Sequence, residues 1–266
     1  HAERLQRILK DVSEFYREGL ETLGVKSQGI PFERDATGQF VVRLVRGAQP
    51  SSHYTFESGQ ETWNEVQQSL AKDINAERDH VLIIYGLCDT ARDGRYVFHA
   101  PYCGFSSDHR HGVCHAADCE LLDPQNLAST KSMAFSEHYY PHKAMTVGEF
   151  NSWYLGGIAH ELGHALGLPH DNGMPEEDRL GVSLMGIGNF NYREHLHGGK
   201  EPAYLSLASA IRLAAKPFIT RSDKARWEPV QIGAYAVEAQ AMNFDLTLRG
   251  RVSASVPVCA VIATIW

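Results

Sequence analysis

His160-Glu161-Leu162-Gly163-His164-Ala165-Leu166-Gly167-Leu168-Pro169-His170-Asp171 is the stretch from which the rest of the chain can be organised. It closes a segment in which Phe150, Trp153, Ile158, Leu162 and Leu166 recur at helical spacing, the pattern of an amphipathic helix. Thr146 followed by Glu149 is a capping box that starts this helix, because each side chain accepts from a backbone donor that the first turn leaves free. Gly156 and Gly157 weaken its middle, and Gly167 then Pro169 stop it. On such a helix His160 and His164 lie one turn apart on one face, while Glu161 points about 100° round the axis. Gly167 can take a positive φ, so the chain can turn sharply and return His170 to the same point.

Three imidazoles facing one point predict a metal site. Three nitrogen ligands with a fourth position left to water is the arrangement of a catalytic zinc, whereas structural zinc takes four protein ligands, mostly cysteine. Neutral ligands leave the ion its full double charge, which makes it a strong Lewis acid and lowers the pKa of bound water toward ~7. Zn²⁺ suits imidazole, although iron, cobalt and copper accept the same ligands. Glu161 is then placed to meet the water without ligating the ion.

The run from His160 to Asp171 resembles the zinc-binding consensus of the metzincin metallopeptidases. That clan has a methionine turn beneath the metal, and Ser183-Leu184-Met185-Gly186, fifteen residues past His170, is similar to it. The resemblance implies that Met185 forms the floor of the site. Asp171 is similar to the reprolysin, or adamalysin-like, choice after the third histidine, which implies a carboxylate bracing the turn. Several families of the clan carry a tyrosine two residues after the methionine, where this chain has Ile187; Tyr192 is the nearest tyrosine. The resemblance is specific from Ile158 to Gly186 and architectural elsewhere.

Working outward, Leu5, Ile8, Leu9, Val12, Phe15, Tyr16, Leu20 and Leu23 predict an amphipathic helix ended by Gly24. Phe40 to Val45 reads as a strand, Trp63, Val66, Leu70 and Ile74 as a second helix, and Val81 to Tyr85 as a strand buried on both faces. Helix, strand, helix, strand favours a layer whose neighbouring strands are parallel. It also resembles the upper domain of the metzincins, except that the clan's first strand would lie before His1. From Arg95 to Met145 loops and edge strands are expected, with short strands near Tyr96 to His99 and Val113 to Leu122. Leu205 to Ala215 predicts a further helix closed by Pro217. From Trp227 the period changes to two, in Val230 to Val237, Phe244 to Val252 and Val256 to Ile265. The expected architecture is thus an α/β (α+β) metzincin-like catalytic domain over 1–216, with a mixed sheet and an active-site helix. A β-rich segment, 217–266, follows; it either packs on that domain or begins a further β-domain.

The 266 residues are 43% hydrophobic and 21% charged, an ordinary globular composition. Acidic residues exceed basic ones by 32 to 25, a net charge of -7, and no block of lysines or arginines gathers, which excludes nucleic acid as the main partner. Val81 to Tyr85 and Val256 to Trp266 are the longest apolar stretches, too short for the roughly 20 residues of a membrane span. A chain opening on His1 rather than Met reads as a mature or trimmed piece.

Five cysteines, with Cys103, Cys114 and Cys119 clustered, predict one or two disulfides and an extracellular, periplasmic or cell-surface location. Asp108, His109, His111, Cys114, His115, Asp118 and Cys119 form a second cluster. It is expected to be a disulfide-tied loop with solvated histidines, with an additional structural metal as the alternative. His195 and His197 read as surface residues, and Glu176-Glu177-Asp178 as a solvated loop.

These features predict a zinc-dependent endopeptidase with Glu161 as general base, its protein or peptide substrate extended beside an edge strand from the Tyr96 to Leu122 region. A metal-containing binding or adhesion protein that hydrolyses nothing is the alternative, against which the intact Glu161 argues. A third reading keeps the enzyme but replaces His170 as ligand by Glu176 or Glu177.

Overall fold

The computed structural model describes residues 1–107, 110–221, 231–233, 236–240, 245–255 and 260–263. The chain divides into two units, His1–Thr220 and Arg221–Trp266.

The first unit is mixed α/β. Its elements begin with α1 (Ala2–Thr22), α2 (Gly59–Ser69) and β1 (His80–Tyr85), followed by β2 (Cys88–Thr90), β3 (Tyr96–Phe98), β4 (Cys103–Phe105) and β5 (Gly112–Ala117). Then come β6 (Ser132–Ser136), β7 (Lys143–Thr146), α3 (Val147–Ala165), β8 (Val182–Ser183), β9 (Ala203–Tyr204) and α4 (Leu207–Ala214). One sheet has the order β1-β5-β4, with β1 parallel and β4 antiparallel to β5; another has the order β2-β3-β6-β7, in which β3 and β6 are parallel. The mixture of parallel and antiparallel neighbours agrees with the expected fold class.

α1 buries Leu5, Ile8, Val12, Phe15, Tyr16 and Leu20 along one stripe. The wholly buried Tyr16 donates its hydroxyl to Ala159 O at 2.7 Å, tying α1 to α3 one residue before His160. Arg4 grips Asp118 with two guanidinium nitrogens, at 2.5 and 2.8 Å. α3 begins at the capping box, where Thr146 Oγ1 accepts from Glu149 N and Glu149 Oε2 accepts from Thr146 N. Phe150, Leu155, Ile158 and Ala159 on α3 are fully buried. Every residue of β5 is buried too, because α3 covers one face and the other carries a chain from Thr62 of α2 through Tyr85 to His115.

Several local expectations shift. Phe40 to Val45 is not a strand: Phe40 makes a single bridge to Arg34, and Val42 and Leu44 alternate outward into solvent. The period-two pattern is present, but among the described residues only 33–34 offers it a backbone partner, through Arg34 and the Val41 N–H to Glu33 O. β1 finds its parallel neighbour in β5 instead. α2 lies earlier than Trp63 to Ile74, and β5 ends at Ala117 rather than Leu122. α4 starts where Ser206 caps it by accepting from Ser209 N.

In the second unit, β10 (Gln231–Ile232) pairs antiparallel with β13 (Val252–Ser253), and β11 (Ala236–Gln240) with β12 (Asp245–Arg249). Trp227, Val230, Phe244, Val256, Cys259 and Ile265 lie outside the described residues, as do Asp108 and His109.

Candidate metal centre

His160 and His164 stand on the last turns of α3, and the chain leaves the helix through Gly167 at φ +81°. Leu168 N donates to Gly163 O at 2.9 Å, closing the turn and returning His170 toward the helix. The Nε2 atoms of His160 and His164 are 3.1 Å apart, and those of His164 and His170 are 3.2 Å apart. Among the described residues these three are the one group of histidine, cysteine and carboxylate side chains arranged to hold a metal ion, with all donor atoms within 4.8 Å of one another.

The protonation of this cluster follows from its surroundings. His160 Nδ1 donates to Leu184 O at 2.6 Å, and His164 Nδ1 donates to Leu168 O at 2.8 Å. A carbonyl can only accept, so each neutral ring carries its proton on Nδ1 and turns the bare Nε2 lone pair inward. Burial pushes His160 down to about 4 and also lowers His164, which keeps both rings neutral. Two lone pairs at 3.1 Å repel unless a cation lies between them, so the donor set fits a metal ion bound by imidazole.

Glu161 occupies the next position on α3. Burial raises its carboxyl to about 7, while an N–H from Gly104 on β4 pulls the other way. The group can therefore exchange a proton near neutrality. Gly104 is required by this approach, since a Cβ there would stand 1.8 Å from Glu161 O.

Met185 is fully buried under the helix, and a Cβ on Gly163 would meet its sulfur at 2.5 Å. Its neighbour Leu184 supplies the carbonyl that orients His160. Asp171 faces away from the imidazoles: one oxygen accepts from Gly173 N at 2.9 Å, the other from the hydroxyls of Ser206 and Ser209, and its own N–H donates to Met185 O. These bonds hold the turn.

Other sequence expectations are corrected here. Glu177 is not solvated: its buried carboxylate accepts from Met174 N and Leu207 N, which braces the loop. Tyr192, the nearest tyrosine after the methionine, is wholly buried beside Phe15 and donates to Asp11, so it packs the core. The second cluster is dispersed. His115 lies in the core with Nδ1 2.6 Å from Tyr85 OH, Asp118 pairs with Arg4, and Cys114 is a buried free thiol. The four described cysteines are all free. His197 is tied to Ser152 Oγ at 2.8 Å.

One feature had no sequence signal beyond an aromatic-rich run. A cavity of about 170 Å³ opens beside Glu161, walled by Tyr102, Phe135, Trp153, Tyr154 and Phe190, with Glu137 and Asn189 among its polar groups. It has room for a single side group of a substrate. Gly157 forms part of its floor, where a Cβ would meet Tyr102 OH at 2.3 Å. Burial raises the Glu137 carboxyl above its ordinary value.

The fold is thus mixed α/β and carries a three-histidine site able to hold a metal ion. No protein-family profile matches the chain, and no curated protein does. Among solved structures, two crystal forms of wild-type OgpA from Akkermansia muciniphila match with TM-scores of 0.67 and 0.66. Identity is 19% in both, over 90% of this chain and 63% of that chain. A catalytically inactive OgpA in complex with an O-glycopeptide substrate, glycodrosocin, matches with a TM-score of 0.66 at 16% identity, over 95% of this chain and 75% of that one. The chain therefore spans 63% of the length of the first two neighbours, and the likeness is one of fold. Among the described residues no helix is long and apolar enough to cross a membrane.

Proposed function

We propose that this chain is a zinc-dependent endopeptidase of metzincin type that acts on protein or peptide substrates outside the cytoplasm. The observation that carries the proposal is the convergence of three Nε2 atoms, two of them with their Nδ1 protons committed to carbonyls, with Glu161 the residue after His160 on α3. A zinc ion held by His160, His164 and His170 would polarise the scissile carbonyl and bring the pKa of water toward ~7. Glu161 takes a proton from the attacking water as general base and returns it to the departing amine as general acid. Met185 and Asp171 keep the helix end, the turn and the His160 ring in register.

β4 lies at the edge of the β1-β5-β4 sheet next to Glu161, and an extended substrate pairs with that edge, main chain to main chain. The O-glycopeptide held by the OgpA neighbour motivates a finer proposal, that the substrate side group entering the aromatic cavity is a sugar. The flat aromatic walls suit the C–H faces of a pyranose, and the polar groups beside Glu137 and Asn189 suit its hydroxyls.

The test is zinc quantitation on the purified chain, together with cleavage of an O-glycopeptide and its unglycosylated twin. One bound zinc and chelator-sensitive cleavage that Glu161→Ala abolishes are expected. Zinc binding with no cleavage of any peptide would return the chain to the class of binding proteins.

A further inference from the structure

Cys88 opens β2 of the four-stranded sheet and Cys119 follows β5 of the β1-β5-β4 sheet, and the fold brings the two together. β1 and β5 run parallel with Tyr85 opposite Ala117, and the Asp118 N–H donates to Tyr85 O at 2.9 Å, carrying the ladder one step beyond β5. Cys119 is the next residue, and Cys88 opens β2 three residues after Tyr85. The two side chains meet there, the Cys88 thiol within reach of the Cys119 sulfur and also of Asp89 O at 3.8 Å. That sulfur also accepts from the N–H groups of Leu121 and Leu122. These donors hold the Cys119 thiol below its ordinary pKa, whereas its partner and its burial push Cys88 up. Cys119 is therefore the nucleophile of the pair and Cys88 the resolving thiol.

The other two described cysteines are placed so that they cannot pair with each other. Gly104 is opposite Cys114 and Cys103 is opposite His115. Adjacent register positions point to opposite faces of a sheet, so the sulfurs of Cys103 and Cys114 lie on opposite sides of it.

We propose that Cys88 and Cys119 form an intramolecular disulfide, a covalent staple between the β2-β3-β6-β7 sheet and the end of β5, while Cys103 and Cys114 remain thiols. A low-molecular-weight disulfide such as oxidised glutathione is the oxidant. The Cys119 thiolate attacks one sulfur of it, breaking its S–S bond and releasing one glutathione thiolate. Cys88 then loses its proton and attacks the Cys119 sulfur of the mixed disulfide, releasing the second glutathione. Two protein thiols are oxidised and one glutathione disulfide is reduced. The loop so closed contains β3, β4 and β5, so the staple fixes the substrate-side edge strand relative to the sheet that supplies Phe135 to the cavity.

The test is disulfide mapping of the whole chain after equilibration in a buffer of oxidised and reduced glutathione. The protein is acid-quenched, alkylated and digested without reductant. A linked peptide pair containing Cys88 and Cys119, lighter by two hydrogens than its separate thiols, is expected, with Cys103 recovered alkylated. Recovery of Cys88 and Cys119 as separately alkylated peptides, or of either joined to Cys259, would overturn the proposal. A second measurement compares melting temperatures. Reductant should lower that of the parent by roughly 5–15 °C and leave a Cys88→Ser/Cys119→Ser double variant unchanged. An equal response of both would overturn the staple. If the double variant does not fold, the peptide map on the parent protein decides.

Discussion

The amide of Gly104 on the edge strand donates to the carboxylate of Glu161 on α3, and the two backbones approach so closely that a Cβ on Gly104 would lie 1.8 Å from Glu161 O. Strand and helix are thereby locked at one separation. Gly104→Ala is expected to force them apart, costing about 1–3 kcal/mol of stability and lowering kcat/KM by roughly 100-fold. Zinc content should stay at the parent level, since the bonds that orient His160 and His164 run to Leu184 and Leu168. Denaturant unfolding, peptide hydrolysis and metal analysis on the same preparation check this; unchanged hydrolysis would show that β4 does not position the base.

Glu161→Gln keeps the shape of the side chain and removes its ability to take a proton. The expected result is a fall in kcat of roughly 10²–10⁴-fold with zinc retained. Steady-state kinetics beside metal quantitation reads both at once.

The identity of the third ligand separates two variants. His170→Ala should lose zinc at a concentration that saturates the parent. Glu177→Gln should keep it, yet lose about 1–3 kcal/mol, because a side-chain amide cannot accept from both Met174 N and Leu207 N. A zinc titration paired with urea unfolding distinguishes them, and zinc loss in Glu177→Gln would favour the carboxylate as ligand.

Acid stability has a component at His115. Burial pushes this ring down to about 4, far below the ordinary histidine value near 6.5. Between pH 6.5 and 4 the unfolded chain binds a proton there that the folded chain does not. Stability is therefore full above pH 6.5 and falls as pH drops through that window, by about 3 kcal/mol in all. His160 and His164 act in the same direction, so the measurement is the difference between parent and His115→Gln unfolding across pH 4–7. The variant should show a shallower acid loss; identical slopes would exclude the buried ring as a source.

Tyr140 stands at the rim of the aromatic cavity, partly exposed and 5.4 Å from Trp153 between ring centres. Tyr140→Ala is expected to lower kcat/KM for an O-glycopeptide by about 10-fold and to leave its unglycosylated twin within about 2-fold. Equal losses on both substrates would mean that the cavity does not read the sugar.

What could be read from the chain beforehand divides by the distance over which each feature is assembled. α3, its capping box and the turn at Gly167 are local, so the spacing of His160, His164 and His170 is enough to bring their nitrogens together. The Gly104 contact with Glu161 and the cavity beside it join segments far apart in sequence, and no periodicity encodes them. Phe40 to Val45 has the side-chain alternation of a strand but little backbone to pair with. Conversely, the residues from His111 to Cys119 look like a polar loop because histidine, cysteine and aspartate are frequent in them. Most of them form or adjoin a strand covered on both faces, where His115 and Asp118 are satisfied by Tyr85 and Arg4.

The carbonyls of Leu184 and Leu168 fix the orientation of the two helical imidazoles through bonds within the protein. Stripping and reloading should then proceed from the exposed His170 side, with no refolding of the surrounding scaffold. A zinc centre of this kind would be emptied, stored and recharged within a single intact molecule, and swapping one divalent ion for another would give spectroscopic versions of the same protein.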